Sequence, residues 1–168
     1  MKPSKTKSEI QDYVQNLLSD KEIKVSSSDF LRPWGGFFVI DTSVTIENFI
    51  STFYPELIEE LTSTTLPLSP KILCVAPNKR LSWQYHNRRS ELWKLIDGQA
   101  GYMKSFTDDQ SEVVKMKINK TLTLAVGERH RLIGLEKWGI IAEIWKHSDF
   151  NHPSDEDDIV RLQDDFGR

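Results

Sequence analysis

From Lys71 onward the chain alternates short apolar runs with turn-forming residues, and this rhythm restricts its fold more than any other feature. The runs are Ile72-Leu73-Cys74-Val75, Leu81 to His86, Leu92 to Ile96, Gly101 to Lys104, Val113 to Ile118, Leu122 to Val126 and Ile140 to Trp145. Pro77-Asn78, Asp97-Gly98, Thr107-Asp108-Asp109, Asn119-Lys120 and Gly134 separate most of them. Runs too short for a helix and bounded by Gly, Pro, Asn and Asp read as strands. Many such strands at regular spacing predict a mainly β fold, a sandwich or barrel. With 168 residues the chain fits one domain of this kind.

Helical patterns precede the strands. Residues 1–30 read as an N-terminal helical arm: Thr6-Lys7-Ser8-Glu9 has capping-box spacing, and Ile10, Tyr13, Val14, Leu17 and Leu18 follow on one helical face. Ser26-Ser27-Ser28-Asp29 reads as a polar linker, and Phe37-Phe38-Val39-Ile40 as a strand. The remainder, 31–168, is expected to be one β-barrel domain with a helical insertion near residues 44–62. There Ile46, Phe49, Ile50, Phe53, Leu57, Ile58 and Leu61 keep helical spacing, and Pro55 should divide the segment into two short helices. These apolar stripes must either cover the barrel or form a dimer interface. Asp155-Glu156-Asp157-Asp158 reads as a solvated tail or turn.

Charge and cysteine narrow the function. Lys and Arg number 22 against 25 Asp and Glu, so there is no basic excess to hold nucleic acid. The single cysteine, Cys74, excludes an intramolecular disulfide and any Cys-cluster metal site, and suits a reducing compartment, so a cytoplasmic protein is expected. The start, Met1-Lys2-Pro3-Ser4-Lys5, does not read as a secretory leader, and no apolar run is long enough to cross a bilayer, so no membrane partner is expected. Only four histidines are present, His86, His130, His147 and His152, so a metal site would need carboxylate and amide ligands as well.

The informative strand is Arg80-Leu81-Ser82-Trp83-Gln84-Tyr85-His86, in which Ser82, Gln84 and His86 share one face. If that face points into a barrel, Gln84 and His86 stand side by side, Glu91 joins them from the next strand, and His130 reaches them from the end of a later one. One amide oxygen, one carboxylate and two imidazoles can hold a divalent metal. A Gln and a His alternating on a strand are more often exposed polar positions, and His130 beside Arg129 and Arg131 also reads as a surface residue. Spacing alone leaves both readings open.

These residues resemble the first motif of the cupin superfamily: Asn78, Gln84-x-His86, Glu91 and Gly98 stand in its register, with Asn for the leading Gly and Gln for the first His. Gly127 and His130 match the second motif, whose Pro and Asn are missing here. Within cupins the chain is similar to type II phosphomannose isomerases. Arg32-Pro33-Trp34-Gly35 matches the family's opening motif, and Leu81-Ser82, Gln84, His86, Arg89, Glu91 and Trp93 match its central one. Gly127, His130, Arg131 and Leu132 match a third, and Glu156 to Arg161, Asp164 and Phe166-Gly167-Arg168 match the closing motif. His86-Asn87-Arg88 departs from the family's His-His-His, and the guanylyltransferase activity of the domain often fused to the family is not expected of these 168 residues.

The resemblance implies a cupin jelly-roll β-barrel with N-terminal and inserted α-helices. It implies a metal site of Gln84, His86, Glu91 and His130 holding one divalent ion, with zinc first and iron, manganese, nickel or cobalt behind it. The implied reaction interconverts an aldose phosphate and a ketose phosphate, as between mannose 6-phosphate and fructose 6-phosphate, so a small phosphorylated sugar is the expected partner. Arg89 and Arg161 are the first candidates for the phosphate, with Arg32, Arg88, Arg131 and Lys94 behind them, and Glu128 is a candidate base. An isomerase of a pentose or heptose phosphate, or a non-catalytic cupin that binds a sugar or nucleotide-sugar, are the alternatives. Cupins are often dimers, so a homodimer is the expected assembly.

Overall fold

The computed structural model describes residues 4–43 and 46–168; the first three residues and the start of the helical insertion, at 44–45, lie outside it. Helix α1 (Lys7–Asp20) begins at the expected capping box: the Thr6 amide donates to Glu9 Oε2 at 2.7 Å, and the Glu9 amide donates to Thr6 Oγ1 at 3.2 Å. Strand β1 (Val25–Asp29) pairs antiparallel with β2 (Gly35–Ile40). The serine run is therefore an edge strand and not a linker; its serines are exposed, and the ladder to β2 supplies the order that their composition does not suggest. Helices α2 (Ile46–Phe53) and α3 (Ile58–Ser63) flank a short 3-10 turn at Pro55–Leu57, so Pro55 does divide the insertion.

The remaining strands are β3 (Leu68–Val75), β4 (Trp83–His86), β5 (Arg89–Ser105), β6 (Val114–Lys115), β7 (Thr121–Leu124), β8 (Arg129–His147) and β9 (Ile159–Gln163). One path of pairing runs β1-β2-β3-β8-β4-β9, while β5 pairs with β6, β7 and β8. Two strands are longer than their sequence suggests. Asp97-Gly98 is not a turn between strands: β5 runs through it with bulges on either side. Gly98 takes φ +77°, and a Cβ there would fall 1.8 Å from the Trp138 carbonyl oxygen of the paired strand. Gly134 likewise lies inside β8, where a Cβ would meet the Ala76 carbonyl oxygen at 1.9 Å. Both glycines permit bends and close approach within continuous strands.

Alternation along these strands divides the apolar residues between two faces. Ile72, Cys74, Ile140, Ala142 and Ile144 pack outward with Phe38 and Phe49 against Ile10, Val14 and Leu18 of α1. Leu73, Val75 and Ile141 point inward to Trp93, Leu95, Leu124 and Leu132. Each of the buried Val, Leu, Ile and Phe side chains contributes roughly 1.5–3 kcal/mol relative to exposure. Of the two roles open to the helical stripes, they cover the barrel. By the same alternation, Lys71, Glu143 and Trp145 belong to the interior face.

Candidate metal centre

Strand β4 ends in His86, turns at Asn87-Arg88, and returns as β5 with Arg89 and Glu91. Across the sheet, Gln84 of β4 pairs with His130 at the start of β8. The fold thus gathers His86, Glu91 and His130, whose side chains lie within 2% of full burial and whose candidate ligand atoms all fall within 4.8 Å of one another. His86 Nε2 is 3.0 Å from Glu91 Oε1, His130 Nε2 is 3.5 Å from Glu91 Oε2, and the two Nε2 atoms are 3.2 Å apart.

The hydrogen bonds fit a cation there. His130 Nδ1 donates to the Glu128 carbonyl at 2.9 Å, which leaves the lone pair on Nε2. His86 Nε2 accepts from Arg89 Nη2 at 3.2 Å, so it is the unprotonated nitrogen of its ring, and its lone pair would pass from Arg89 to a cation bound there. Two imidazole lone pairs and a carboxylate aimed at one point are the donor set of a divalent transition metal. Burial pushes the Glu91 carboxyl up, but His86, His130 and Arg89 outweigh it and hold the group well below the usual carboxylate range. Burial pushes His130 down to about 4, so its ring is neutral at physiological pH, as a ligand must be.

Gln84 lines the same cavity as Glu91, and its Oε1 accepts a hydrogen bond from the Ser82 hydroxyl. The other expected site residues sort differently. Arg89 borders the cavity, but its donors are occupied: Nε to Glu91 Oε1 at 2.9 Å, Nη1 to Ser154 Oγ at 2.9 Å, and Nη2 to His86. Arg161 of β9 borders the cavity from the far side of Gln84, with which it pairs in register. Glu128 does not line it; its Oε1 accepts the Ala125 amide at 3.0 Å and closes the turn before β8. Arg131 is fully buried on the Leu81 carbonyl and Gln163, Lys94 is paired with Glu56 at 2.6 Å, and Arg88 contacts Asp155 at 3.1 Å. None of these three borders the cavity, whereas Arg32 does.

The sequence reading missed Glu143, whose carboxylate lines the cavity beside Glu91. Trp93 Nε1 donates to its Oε2 and Trp145 Nε1 to its Oε1, each at 2.8 Å. Trp93 also donates to Glu91 Oε2 at 3.0 Å, so one indole bridges the two carboxylates. Burial, reinforced by the charge on Glu91, pushes Glu143 up to about 8. Its cross-strand partner Lys71 sits 3.6 Å above the Trp145 ring and is pushed down by burial.

The acidic segment is no solvated tail. Glu156–Asp158 forms a 3-10 turn in which Asp158 is buried, and it leads into β9, which pairs with β4. Asp158 accepts the Asn87 amide on Oδ1 at 3.0 Å and the Arg88 amide on Oδ2 at 2.9 Å, and so clamps the turn that joins His86 to Glu91. Ser154 links this clamp to Arg89 and donates its amide to His147 Nδ1 at 2.8 Å.

Residues 62–164 match the family described as Mannose-6-phosphate isomerase C-terminal. The Xanthan biosynthesis protein XanB of two strains of Xanthomonas campestris pv. campestris is 31% identical over 99 residues, which is 58% of this chain and 19% of XanB. The chain therefore matches less than one fifth of the length of those relatives. Among solved structures, recombinant oxalate oxidase in complex with glycolate superposes with a TM-score of 0.52 at 14% identity, covering 80% of this chain and 58% of that one. The Lactobacillus farciminis oxalate decarboxylase formate complex gives 0.51 at 12% identity, covering 85% and 34%. Those identities speak for the fold alone, and the fold is the cupin barrel expected from the motifs. With the matched residues spanning the barrel from α3 to β9 and enclosing the buried His-Glu-His group, the chain belongs to the Mannose-6-phosphate isomerase C-terminal family.

Proposed function

We propose that the protein is a metal-dependent aldose–ketose isomerase of a sugar phosphate, with mannose 6-phosphate and fructose 6-phosphate as the leading pair. The observation that carries this reading is the convergence of His86, Glu91 and His130, of which Glu91 opens onto a cavity lined also by a second buried carboxylate, Glu143, and by several cations. Gln84 is assigned as the fourth metal ligand from its place beside His130. When bound, a divalent ion polarises the carbonyl and adjacent hydroxyl oxygens and stabilises the charge that develops on them.

The isomerisation also needs a group that takes a proton from one carbon and returns it to the next. Glu143 is assigned this role in place of Glu128, because it lines the cavity while Glu128 closes a turn. Its two indole donors hold the carboxylate in a fixed orientation, which a proton carrier serving two neighbouring carbons requires. Zinc leads among the metals by family resemblance.

The test is turnover of mannose 6-phosphate by purified protein loaded with zinc, manganese, cobalt, nickel or iron, against chelator-treated protein. Turnover that requires metal and disappears in His86→Ala and His130→Ala supports the reading. Absence of turnover on hexose, pentose and heptose phosphates alike by metal-loaded protein overturns it.

A further inference from the structure

We infer that Arg161 and Trp34 form the subsite for the phosphate of the substrate, with Arg161 on the β9 wall of the cavity, beyond Gln84 from His130; this rests on the sugar-phosphate reading and gives it a geometry. Among the described residues, three buried nitrogens at this cavity have no hydrogen-bond partner, on Arg32, Trp34 and Arg161; Arg32 Nε is set aside because it lies 2.8 Å from Asp29 Oδ2, which leaves the other two to select the site. Trp34 is 4% exposed and lines the cavity, yet its Nε1 has no acceptor among the described residues. Arg161 lines the same cavity, and its buried Nε has none either. A buried N–H without an acceptor costs about 1–3 kcal/mol, so two around one cavity point to an acceptor that arrives from outside the protein.

Charge compensation separates Arg161 from the other arginines at the cavity. Arg89 holds Glu91 at 2.9 Å, Arg32 holds Asp29 at 2.8 Å, and Arg168 holds Asp164 at 2.9 Å. The carboxylate nearest Arg161 is Glu156 at 3.8 Å, and Glu156 is 69% exposed, so it screens the guanidinium weakly. Arg161 is thus the arginine at the cavity with the most charge left for a ligand. A guanidinium edge beside an indole N–H suits the several acceptor oxygens of a phosphomonoester.

Sheet register fixes where this subsite lies. Gln84 pairs with His130 on one side and with Arg161 on the other, so the three form a row on one face of β8, β4 and β9. Adjacent strands lie about 4.8 Å apart, which places the backbones of His130 and Arg161 roughly 10 Å from each other. A phosphate held at Arg161 would therefore sit at the end of the sugar opposite the carbons that react near His86, Glu91 and His130. Trp34 is held in place by stacking on Phe37, with ring centroids 6.4 Å apart, and by its carbonyl, which accepts the Ala76 amide at 2.8 Å.

The experiment titrates inorganic phosphate into the chelator-treated full chain and measures zinc affinity separately, for wild type, Arg161→Met and Trp34→Phe. Phosphate affinity should fall about tenfold or more in Arg161→Met, which loses a charged donor, and several-fold in Trp34→Phe, which loses an uncharged one. Zinc affinity should be unchanged in both, which also reports an intact barrel. Wild-type protein that does not bind phosphate, or binding that neither substitution weakens, overturns the subsite. A chain that binds phosphate through these residues but takes up no metal overturns the isomerase reading alone.

Discussion

Arg89 Nε donates to Glu91 Oε1 at 2.9 Å, with both side chains only 2% exposed. The pair stands on the cavity wall where the two histidines also meet Glu91, so the guanidinium holds the carboxylate in the orientation in which it faces them. Removing one partner of a buried ion pair leaves the other charge stranded and costs roughly 3–5 kcal/mol. Arg89→Met is therefore expected to lower the unfolding free energy by about 3 kcal/mol in chelator. Zinc at the Glu91 carboxylate replaces the missing charge and should recover part of that loss. Urea unfolding with and without zinc checks both statements, and a loss that zinc does not diminish would place Glu91 outside the metal site.

The clamp on the β4–β5 turn predicts an effect transmitted from β9's side of the barrel. Asp158 stands outside the His86-Glu91-His130 group, but it accepts the two amides between His86 and Arg89. Asp158→Asn can accept on one oxygen only, so one turn amide loses its partner and His86 loses its fixed distance to Glu91. Supporting groups of this kind are typically worth about 10–100-fold in metal affinity. Zinc affinity should fall within that range, and the visible spectrum of the cobalt-loaded protein should shift. An unchanged spectrum together with lowered thermal stability would mean that Asp158 supports the fold only.

Stability should depend on pH through Glu143 in a direction opposite to an ordinary paired carboxylate. Its pKa in the fold is raised to about 8, above the ordinary glutamate value of 4.5, so the folded state binds the proton more tightly than the unfolded chain. The resulting stabilisation is complete below about pH 4.5 and is lost as pH rises toward 8. Glu91 and His130, whose values are lowered, act the other way and lose their contribution as pH falls. In chelator, Glu143→Gln should remove only the first effect, so its stability relative to wild type should climb steadily between about pH 5 and 8. Parallel curves for the two proteins over that range would contradict a proton on Glu143.

Loss of the Trp145 donor offers a second measurement of the same carboxylate. Trp145→Phe keeps the ring beneath Lys71 and removes one of the two N–H groups on Glu143. The charged form loses support, so the alkaline end of the stability decline should move to higher pH, while zinc affinity stays within a few-fold of wild type.

The residues of the candidate metal centre were legible because their spacing along the chain is short and strand alternation converts it directly into a shared face: Gln84, His86 and Glu91 fall within one hairpin. The capping box at Thr6 and the break at Pro55 were legible for the same reason, being local. Glu143 was hidden in Gly139-Ile140-Ile141-Ala142-Glu143-Ile144-Trp145, where an apolar run on both sides marks a strand buried on both faces. A carboxylate inside such a run was itself the signal, since an unpartnered charge is not tolerated there. Asp158 was masked by its acidic neighbours: composition favoured a solvated turn, and only the distant Asn87 and Arg88 amides give the side chain its partners. The serine strand β1 and the bends at Gly98 and Gly134 failed for a related reason. Pairing with a strand remote in sequence decided each of them, and local propensity could not.

The pairing of β4 with β9 bears on how this protein goes wrong. β4 touches β8 through one registered pair, Gln84 with His130, and takes most of its ladder from β9. Until Ile159–Gln163 docks, the strand bearing Gln84 and His86 is an open edge, with unpaired amides and carbonyls next to Trp83 and Tyr85. Such an edge recruits strands from other molecules. Its partner lies far downstream, so it closes late among the folding steps. Proteolytic clipping after Asp158 would therefore first promote self-association of the chain, before any collapse of the barrel.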